Sequence, residues 1–358
     1  MSFGPLESAL KRALEAPKNI PVSSLAGMLC CDDAGFWEEV RSASYSLKLK
    51  HIGPAVSFRG LVECSNVCAK DCYYCGIRKS NKNVRRYSLS ESEIIESALL
   101  AKELGYGSVA LQSGEIESEA NTAKFEEVLK ALSQYLGVTL SLGEQKETVF
   151  QRWRDAGAKR YLLRIETSDR ELYSRIHPNS CDFLRRQNCL RILRDLDYQV
   201  GTGVMIGLPG QTFDMLARDI AFFGETDVDM IGMGPYIPHP DTPLKGAWDS
   251  EKAYKLGLKM IALTRLYLHD VNIAATTALQ ALSPRGREEG LLYGANVMMP
   301  NITPLKYREN YKLYADKPQT DENSAESREA LSEAIRSIGE RINYHSEGNS
   351  PHYLARHS

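Results

Sequence analysis

Apolar runs of strand length alternate with helical patterns from about residue 54 to residue 301. The strand candidates are PAVSFRGLVE (54–63), GSVALQSG (107–114), VTLSLG (138–143), RYLLRIET (160–167), VGTGVMIGLP (200–209), DMIGMGPYIP (229–238), NIAATTAL (272–279) and GANVMMP (294–300). Helix-like segments stand between them. In SESEIIESALLAKELGY, Ser90 and Glu93 have the spacing of a capping box, and Ile94, Ile95, Ala98, Leu99 and Leu104 recur near helical spacing. FEEVLKALSQYLG, ETVFQRWRDAGA, LRRQNCLRILRDL, FDMLARDIAFF and AYKLGLKMIALTRLYL supply further helices. Strand followed by helix, about eight times over, predicts an α/β fold with a parallel sheet, and eight such units can close into a (βα)8 TIM-type barrel. An open, doubly wound sheet is the other reading of the same pattern. Residues 1–50 read as an N-terminal helical extension, 51–301 as the barrel and 302–358 as a C-terminal segment closing it. MSFGPLESALKRALEAP and SAESREALSEAIRSIGERI are amphipathic helices by pattern, and the final HSEGNSPHYLARHS has loop composition.

Composition changes this picture little. The 358 residues, 43% hydrophobic and 25% charged, are ordinary for a soluble globular protein. A net charge of −2 gives no argument for nucleic acid or an anionic membrane as partner. The N-terminus lacks the continuous apolar core of a signal peptide, and no stretch approaches the roughly 18 uncharged apolar residues of a membrane span. The expectation is a cytoplasmic protein in a compartment that keeps thiols reduced.

The candidate chemistry begins with Cys68, Cys72 and Cys75 in CAKDCYYC. A [4Fe–4S] cluster is normally held by four cysteines, so three leave one iron open to a small molecule. C-x3-C-x2-C is the layout of the radical S-adenosylmethionine (SAM) enzymes. A structural zinc site would want four closed ligands, with Cys64 as a possible fourth, yet no second Cys or Cys/His pair follows. A disulfide framework belongs to short secreted chains. Cys30, Cys31, Cys64, Cys181 and Cys189 are scattered and read as small buried hydrophobes.

RYLLRIET carries charge where a barrel strand should be apolar. With period two, Arg160, Leu162, Arg164 and Glu166 share one face, and Tyr161, Leu163, Ile165 and Thr167 the other. Uncompensated burial of such charges against the outer helices costs several kcal/mol each, so they should face the lumen near its C-terminal mouth. An internal salt-bridge ladder is the alternative. Gln112-Ser113-Gly114-Glu115, Ser141-Leu142-Gly143-Glu144 and Gly207-Leu208-Pro209-Gly210-Gln211-Thr212 close successive strands with polar or glycine-rich sets, and Thr276 and Thr277 fall in the seventh. His239, in the rigid PHPDTP loop, reads as structural.

Together, ECSNVCAKDCYYCGIRKSNKNVRRY, LQSGE, VTLSLGE, RYLLRIET, MIGLPGQT, DMIGMGPYIPHPDTPL, NIAATTAL, GANVMMPN and YRENYKLY resemble the HydE-type radical SAM [FeFe]-hydrogenase maturases over residues ~55–315, within the biotin-synthase-like group. The resemblance implies a [4Fe–4S] cluster on Cys68, Cys72 and Cys75, with SAM as cofactor. Tyr74 would lie by the adenine, Ser113, Gly114 and Glu115 by the methionine group, Glu166 and Arg186 at SAM's polar groups, and Met230 beside its adenosine. Arg160, Arg164, Thr139, Thr276 and Thr277 match lumen positions for substrate or anions. Glu166, Arg164 and Arg160 are the catalytic candidates. Tyr311 and Tyr314 match aromatics that close the cavity, though by pattern they could be plain packing. The implied substrate is a small cysteine-bound iron carbonyl/cyanide complex made by a companion maturase, with a low-potential electron donor as further partner. The alternatives are another biotin-synthase-like or methylornithine-synthase-like reaction, or a non-catalytic cluster or zinc scaffold. Many relatives carry three more cysteines near the C-terminus for a second cluster; no cysteine follows Cys189 here, so a single cluster is expected.

Overall fold

The computed structural model describes residues 4–315, 317–318 and 324–358. Eight parallel strands run in ring order: β1 Ala55–Ser65, β2 Ser108–Ser113, β3 Gly137–Ser141, β4 Arg160–Leu162, β5 Gln199–Thr202, β6 Met230–Ile231, β7 Asn272–Ile273 and β8 Val297–Met298. β8 pairs with β1, with Ser57 opposite Val297. The last seam is closed by Asn296 N–H donating to the Ile273 carbonyl and Ala275 N–H to that of Val297, each 2.9 Å. The sheet is thus a (βα)8 barrel and not an open sheet.

Side-chain alternation sorts each strand into a core face and a lumen face. On β1, Val56, Phe58, Val62 and Cys64 join the core under the outer helices, while Arg59, Leu61 and Glu63 turn inward. Beyond β4, Tyr161, Leu163 and Ile165 pack outward as the period predicts. The helix Glu91–Glu103 covers β1 and β2; Ser90 caps it through the Glu93 N–H and Glu93 returns the bond, while Ile94, Ala98 and Ala101 are buried. The N-terminal helix Gly4–Glu15 buries Ala9, Leu10 and Ala13.

Several later strands are shorter than their apolar runs. RYLLRIET is regular only over Arg160–Leu162; four residues further on Glu166 takes a left-handed φ of 67°, and its carboxylate lines the cavity. The fifth and sixth runs each break into two pieces, Met205–Ile206 pairing with Gly234–Pro235 as a separate two-stranded extension at the mouth. The seventh run stops at Ile273; Thr277 opens a helix, Thr277–Leu282, and is not in a strand.

The C-terminus corrects its loop reading most. Residues 347–350 floor the barrel. The Gly348 carbonyl accepts from Arg59 Nη2 (3.1 Å) and Asn272 Nδ2 (2.9 Å), and Asn349 Oδ1 accepts from Arg160 Nη2 (2.7 Å) and Gln199 Nε2 (2.6 Å). A helix, Pro351–Ala355, follows with proline in its first turn. It carries His352 between Asp227 (Nε2–Oδ1 2.9 Å) and Asp270 (Nδ1–Oδ1 3.2 Å), and hydrogen bonds and charge from Asp270 and Asp227 outweigh burial to raise the imidazole pKa. A raised folded pKa stabilises below the unfolded value near 6.5, and that contribution is lost as pH rises through the folded value. We therefore expect amides of residues 346–356 to exchange faster at pH 8.5 than at pH 6 after correction for intrinsic rates, and His352→Gln to remove that difference.

Candidate active site at the barrel mouth

The loop after β1 carries Cys68, Cys72 and Cys75 and lies over the C-terminal ends of the strands, where barrel enzymes place chemistry. Beneath it is a cavity of about 320 Å³ reached by Cys68 and Cys75. All three thiols are free. Cys72 does not line the cavity and lies beside the Cys181 thiol. Among the described residues no three ligating side chains converge as they would around one ion. Cys64 is a core residue, its thiol on the Val62 carbonyl. Cys189 and Cys181 are buried as expected; Cys30 is exposed, contrary to its reading.

Gly114 makes the close approach possible: a Cβ there would overlap the Val67 carbonyl and lie 2.8 Å from the Cβ of Cys68. One residue on, the Glu115 N–H points at Cys68 Sγ (3.3 Å). Such a donor favours the thiolate that a cluster requires, and the cradle therefore fits the implied group. Ser113 completes the turn, its hydroxyl on the Gly114 carbonyl (2.7 Å).

Behind this turn stands a buried ionic quartet. Lys70 bridges Glu115 and Glu144, 3.0 Å to each, and Arg186 Nε lies 2.8 Å from Glu144 Oε1, with Nη2 3.7 Å from Glu115. Burial works against charge on Lys70 and Arg186, but the two carboxylates outweigh it and raise both pKa values. Burial raises the Glu115 pKa, with Arg186 and Lys70 opposing. Gly143, at φ 80°, leaves the space that the Glu115 side chain fills. Lys70 and Glu144 are site residues that sequence reasoning missed. Both were in view, one inside the cysteine motif and one closing the third strand, but nothing in the sequence says that they meet.

Tyr74 packs edge-on to His177, its hydroxyl 3.2 Å from Nε2. Burial lowers the His177 pKa to about 3, so the ring is neutral; with Nδ1–H given to the Tyr173 carbonyl (3.0 Å), Nε2 accepts from Tyr74. Met205 and Tyr236 join Tyr74 in a small apolar cluster on this wall. Glu166 accepts from Arg164 (2.9 Å), whose Nη2 also donates to the Val204 carbonyl (3.0 Å). At the far end Thr276 and Thr277 line the cavity, and the Thr277 hydroxyl lies 2.8 Å from that of Tyr314. Tyr311 is buried beside Lys317, which pairs with Glu63 across the lumen wall.

Besides Cys72, three candidates are not in this cavity. Arg160 faces the lumen but sits at its floor, tied to Glu347 and Asn349, because it is the first residue of β4 and not near its end. Burial, partly offset by Glu347, lowers its pKa to about 10. Thr139 and Met230 line a separate pocket of about 30 Å³ above that floor, with Arg59 Nη1 2.8 Å from Met230 Sδ. Met230 is therefore displaced from the cysteines, and Met205 takes the apolar place beside Tyr74.

Glu166 permits a sharp test. A left-handed non-glycine residue costs about 1–3 kcal/mol. Glu166→Gly should relieve that cost, so melting temperature should hold or rise, while SAM binding, measured by equilibrium dialysis, should fall.

Three free cysteines on the first loop, at the mouth of a barrel with a charged lumen, are what the resemblance to radical SAM enzymes implies, and the comparisons bear that class out. Residues 62–223 match the Radical SAM superfamily. The chain is 45% identical over 289 residues to the [FeFe] hydrogenase maturase subunit HydE of Thermotoga maritima, across 81% of this chain and 82% of that protein. It is 24% identical over 293 residues to the 3-methylornithine synthase of Methanosarcina acetivorans, across 80% and 82%. Among solved structures, a methylornithine synthase superposes with a TM-score of 0.80 at 22% identity, over 94% of this chain and 98% of that one. The hydrogenase maturase HydG of Carboxydothermus hydrogenoformans gives 0.78 at 18%, over 94% and 78%. This chain belongs to the HydE family of radical SAM maturases, enzymes that use a [4Fe–4S] cluster and SAM. No helix among the described residues is long and apolar enough to cross a membrane. The tail stretch in which relatives carry further cysteines lies partly outside the described residues.

Proposed function

We propose that this enzyme acts in [FeFe]-hydrogenase maturation, converting a small cysteine-bound iron carbonyl/cyanide complex to a precursor of the diiron subsite. The carrying observation is the single cavity that runs from Cys68 and Glu115 to Thr277 and Tyr314. One end has the charges for SAM's amino acid moiety, and the other has room and polar groups for a second molecule. When bound, the cluster and SAM would supply radical chemistry begun by one electron from a low-potential donor, with methionine as the leaving group. Cys68, Cys72 and Cys75 would hold the cluster, Glu115 the methionyl ammonium, Arg186 the methionyl carboxylate, and Tyr74 with Met205 the adenine. Arg164 and Glu166 stand midway, and Arg164 would face the anionic ligands of the substrate. Tyr311, Tyr314 and the Lys317–Glu63 pair close the lumen from water, which protects a radical. Companion maturases would supply the substrate and take up the product.

Family likeness to HydE at 45% identity supports this reading over the methylornithine synthase alternative at 24%. The test is rescue of hydrogenase activity in a host lacking its own HydE. Wild type should restore activity. Arg164→Gln should lose rescue while retaining SAM binding within about threefold, since its partner is the substrate. Failure of the wild type to rescue, with a 3-methylornithine product from lysine, would select the alternative.

A further inference from the structure

We infer that the face of the loop Arg78–Arg86 is the docking site of a small acidic electron-transfer protein. This rests on the radical SAM reading of the neighbouring cysteines. Lys79, Lys82 and Arg85 are exposed, and among the described residues none of them is in an ion pair. The sequence set them out as GIRKSNKNVRR, but the SAM and substrate roles leave them unused. The chain as a whole is at −2, so this local excess of positive charge runs against its average.

The loop is bolted to the cluster loop. Arg86, half-buried, donates from Nη1 to the carbonyls of Asn66 (2.6 Å) and Ile77 (2.7 Å), and from Nη2 to those of Arg78 (2.7 Å) and Asn81 (3.1 Å). The Lys79 N–H donates to the carbonyl of Lys70, between Cys68 and Cys72, at 2.8 Å, and the Arg78 N–H to that of Cys75 at 3.2 Å. The basic side chains are therefore carried one backbone hydrogen bond from the segments that bear the cysteines. Asn83 further ties the loop to Asp241 (3.0 Å). A surface held this firmly loses little freedom when a partner docks.

Of the acidic groups nearby, Asp71 is engaged by Arg78 and Ser80 and also lies within reach of the charge of Lys79, Asp241 is held by Asn83, and Glu309 pairs with Lys312. Lys79, Lys82 and Arg85 remain to meet acidic residues, an arrangement that steers encounter and raises association rate more than it adds affinity. Each turnover needs one electron: the reduced donor is oxidised by one electron and the cluster is reduced by the same electron. A partner seated here delivers it through the loop that is hydrogen-bonded to the cysteine segments, without entering the substrate cavity.

The experiment uses the reconstituted full-length enzyme, with photoreduced flavodoxin as the acidic donor and dithionite as the small-molecule control. The read-out is 5′-deoxyadenosine formed. In the K79E/K82E/R85E variant the flavodoxin-driven KM should rise about tenfold or more, whereas the dithionite-driven rate and iron content stay within about twofold of wild type. Raising salt from about 0.05 to 0.3 M should weaken the wild-type response to flavodoxin and leave the variant nearly unmoved. Should the triple variant lose iron, the single variants Lys82→Gln and Arg85→Gln are read the same way. An unchanged flavodoxin KM in iron-replete variants overturns the docking site, as does a wild-type flavodoxin rate that is absent or indifferent to salt. No product with dithionite in the wild type instead overturns the radical SAM reading itself.

Discussion

Gly114→Ala yields a folded protein that holds its cluster about 10- to 100-fold less firmly, with SAM cleavage lost in proportion. The methyl group has nowhere to go. It would overlap the Val67 carbonyl and crowd Cys68 Cβ at 2.8 Å, so the cluster loop must lift from the end of β2. Lifting separates Cys68 Sγ from the Glu115 N–H, the donor that favours its thiolate. β2 itself pairs with β1 and β3 along its length and should not move, so the circular dichroism spectrum and melting temperature should stay near wild type. Iron and sulfide content after anaerobic reconstitution, set against that spectrum, is the measurement. Full iron content in the variant would show that the close approach of loop and strand is not what seats the cluster.

The second large effect is at Glu144. This carboxylate is fully buried and is shared by Lys70, Arg186 and the more exposed Arg185. Removing one partner of a buried ion pair costs about 3–5 kcal/mol, because the charge left behind has lost its compensation. In Glu144→Gln Lys70 and Arg186 retain Glu115 and Arg185 retains Glu117, so about 3 kcal/mol, the low end of that range, is expected from denaturant unfolding. With Arg186 no longer fixed from behind, SAM affinity should fall about tenfold, equivalent to about 1.4 kcal/mol. Glu144→Asp should recover part of both losses, since the charge returns but falls short of its partners. A variant that unfolds earlier yet binds SAM normally would make the quartet a purely structural network.

How far the sequence speaks is clearest on the strands. β1 to β3 begin and end within two residues of their apolar runs, because each is a long, regular segment paired on both sides. β4 shows the limit: the alternation of its run sets the right face for Arg164 and Glu166, but the left-handed φ of Glu166, beyond the end of the strand and with its N–H on the Gly203 carbonyl, is not written in that alternation. Height along the lumen was not legible either. Period two says that Arg160 points inward and does not say that it meets the chain's last residues at the floor. The floor brings Glu347 and Asn349 to Arg160, contacts almost two hundred positions apart, and no local pattern encodes them. The cysteine motif could be picked out in the sequence because its spacing is local, whereas Lys70, Glu144, Cys181 and Met205 came into the site only through folding.

The account stands on a redox cluster that cleaves SAM, and anaerobic reconstitution tests it most directly. Protein refilled with iron and sulfide, then given SAM and dithionite, is assayed for metal content and for 5′-deoxyadenosine with methionine. About four irons per chain and formation of both products are predicted. Tightly held zinc without iron–sulfur absorbance, or a full cluster that leaves SAM intact, would contradict it.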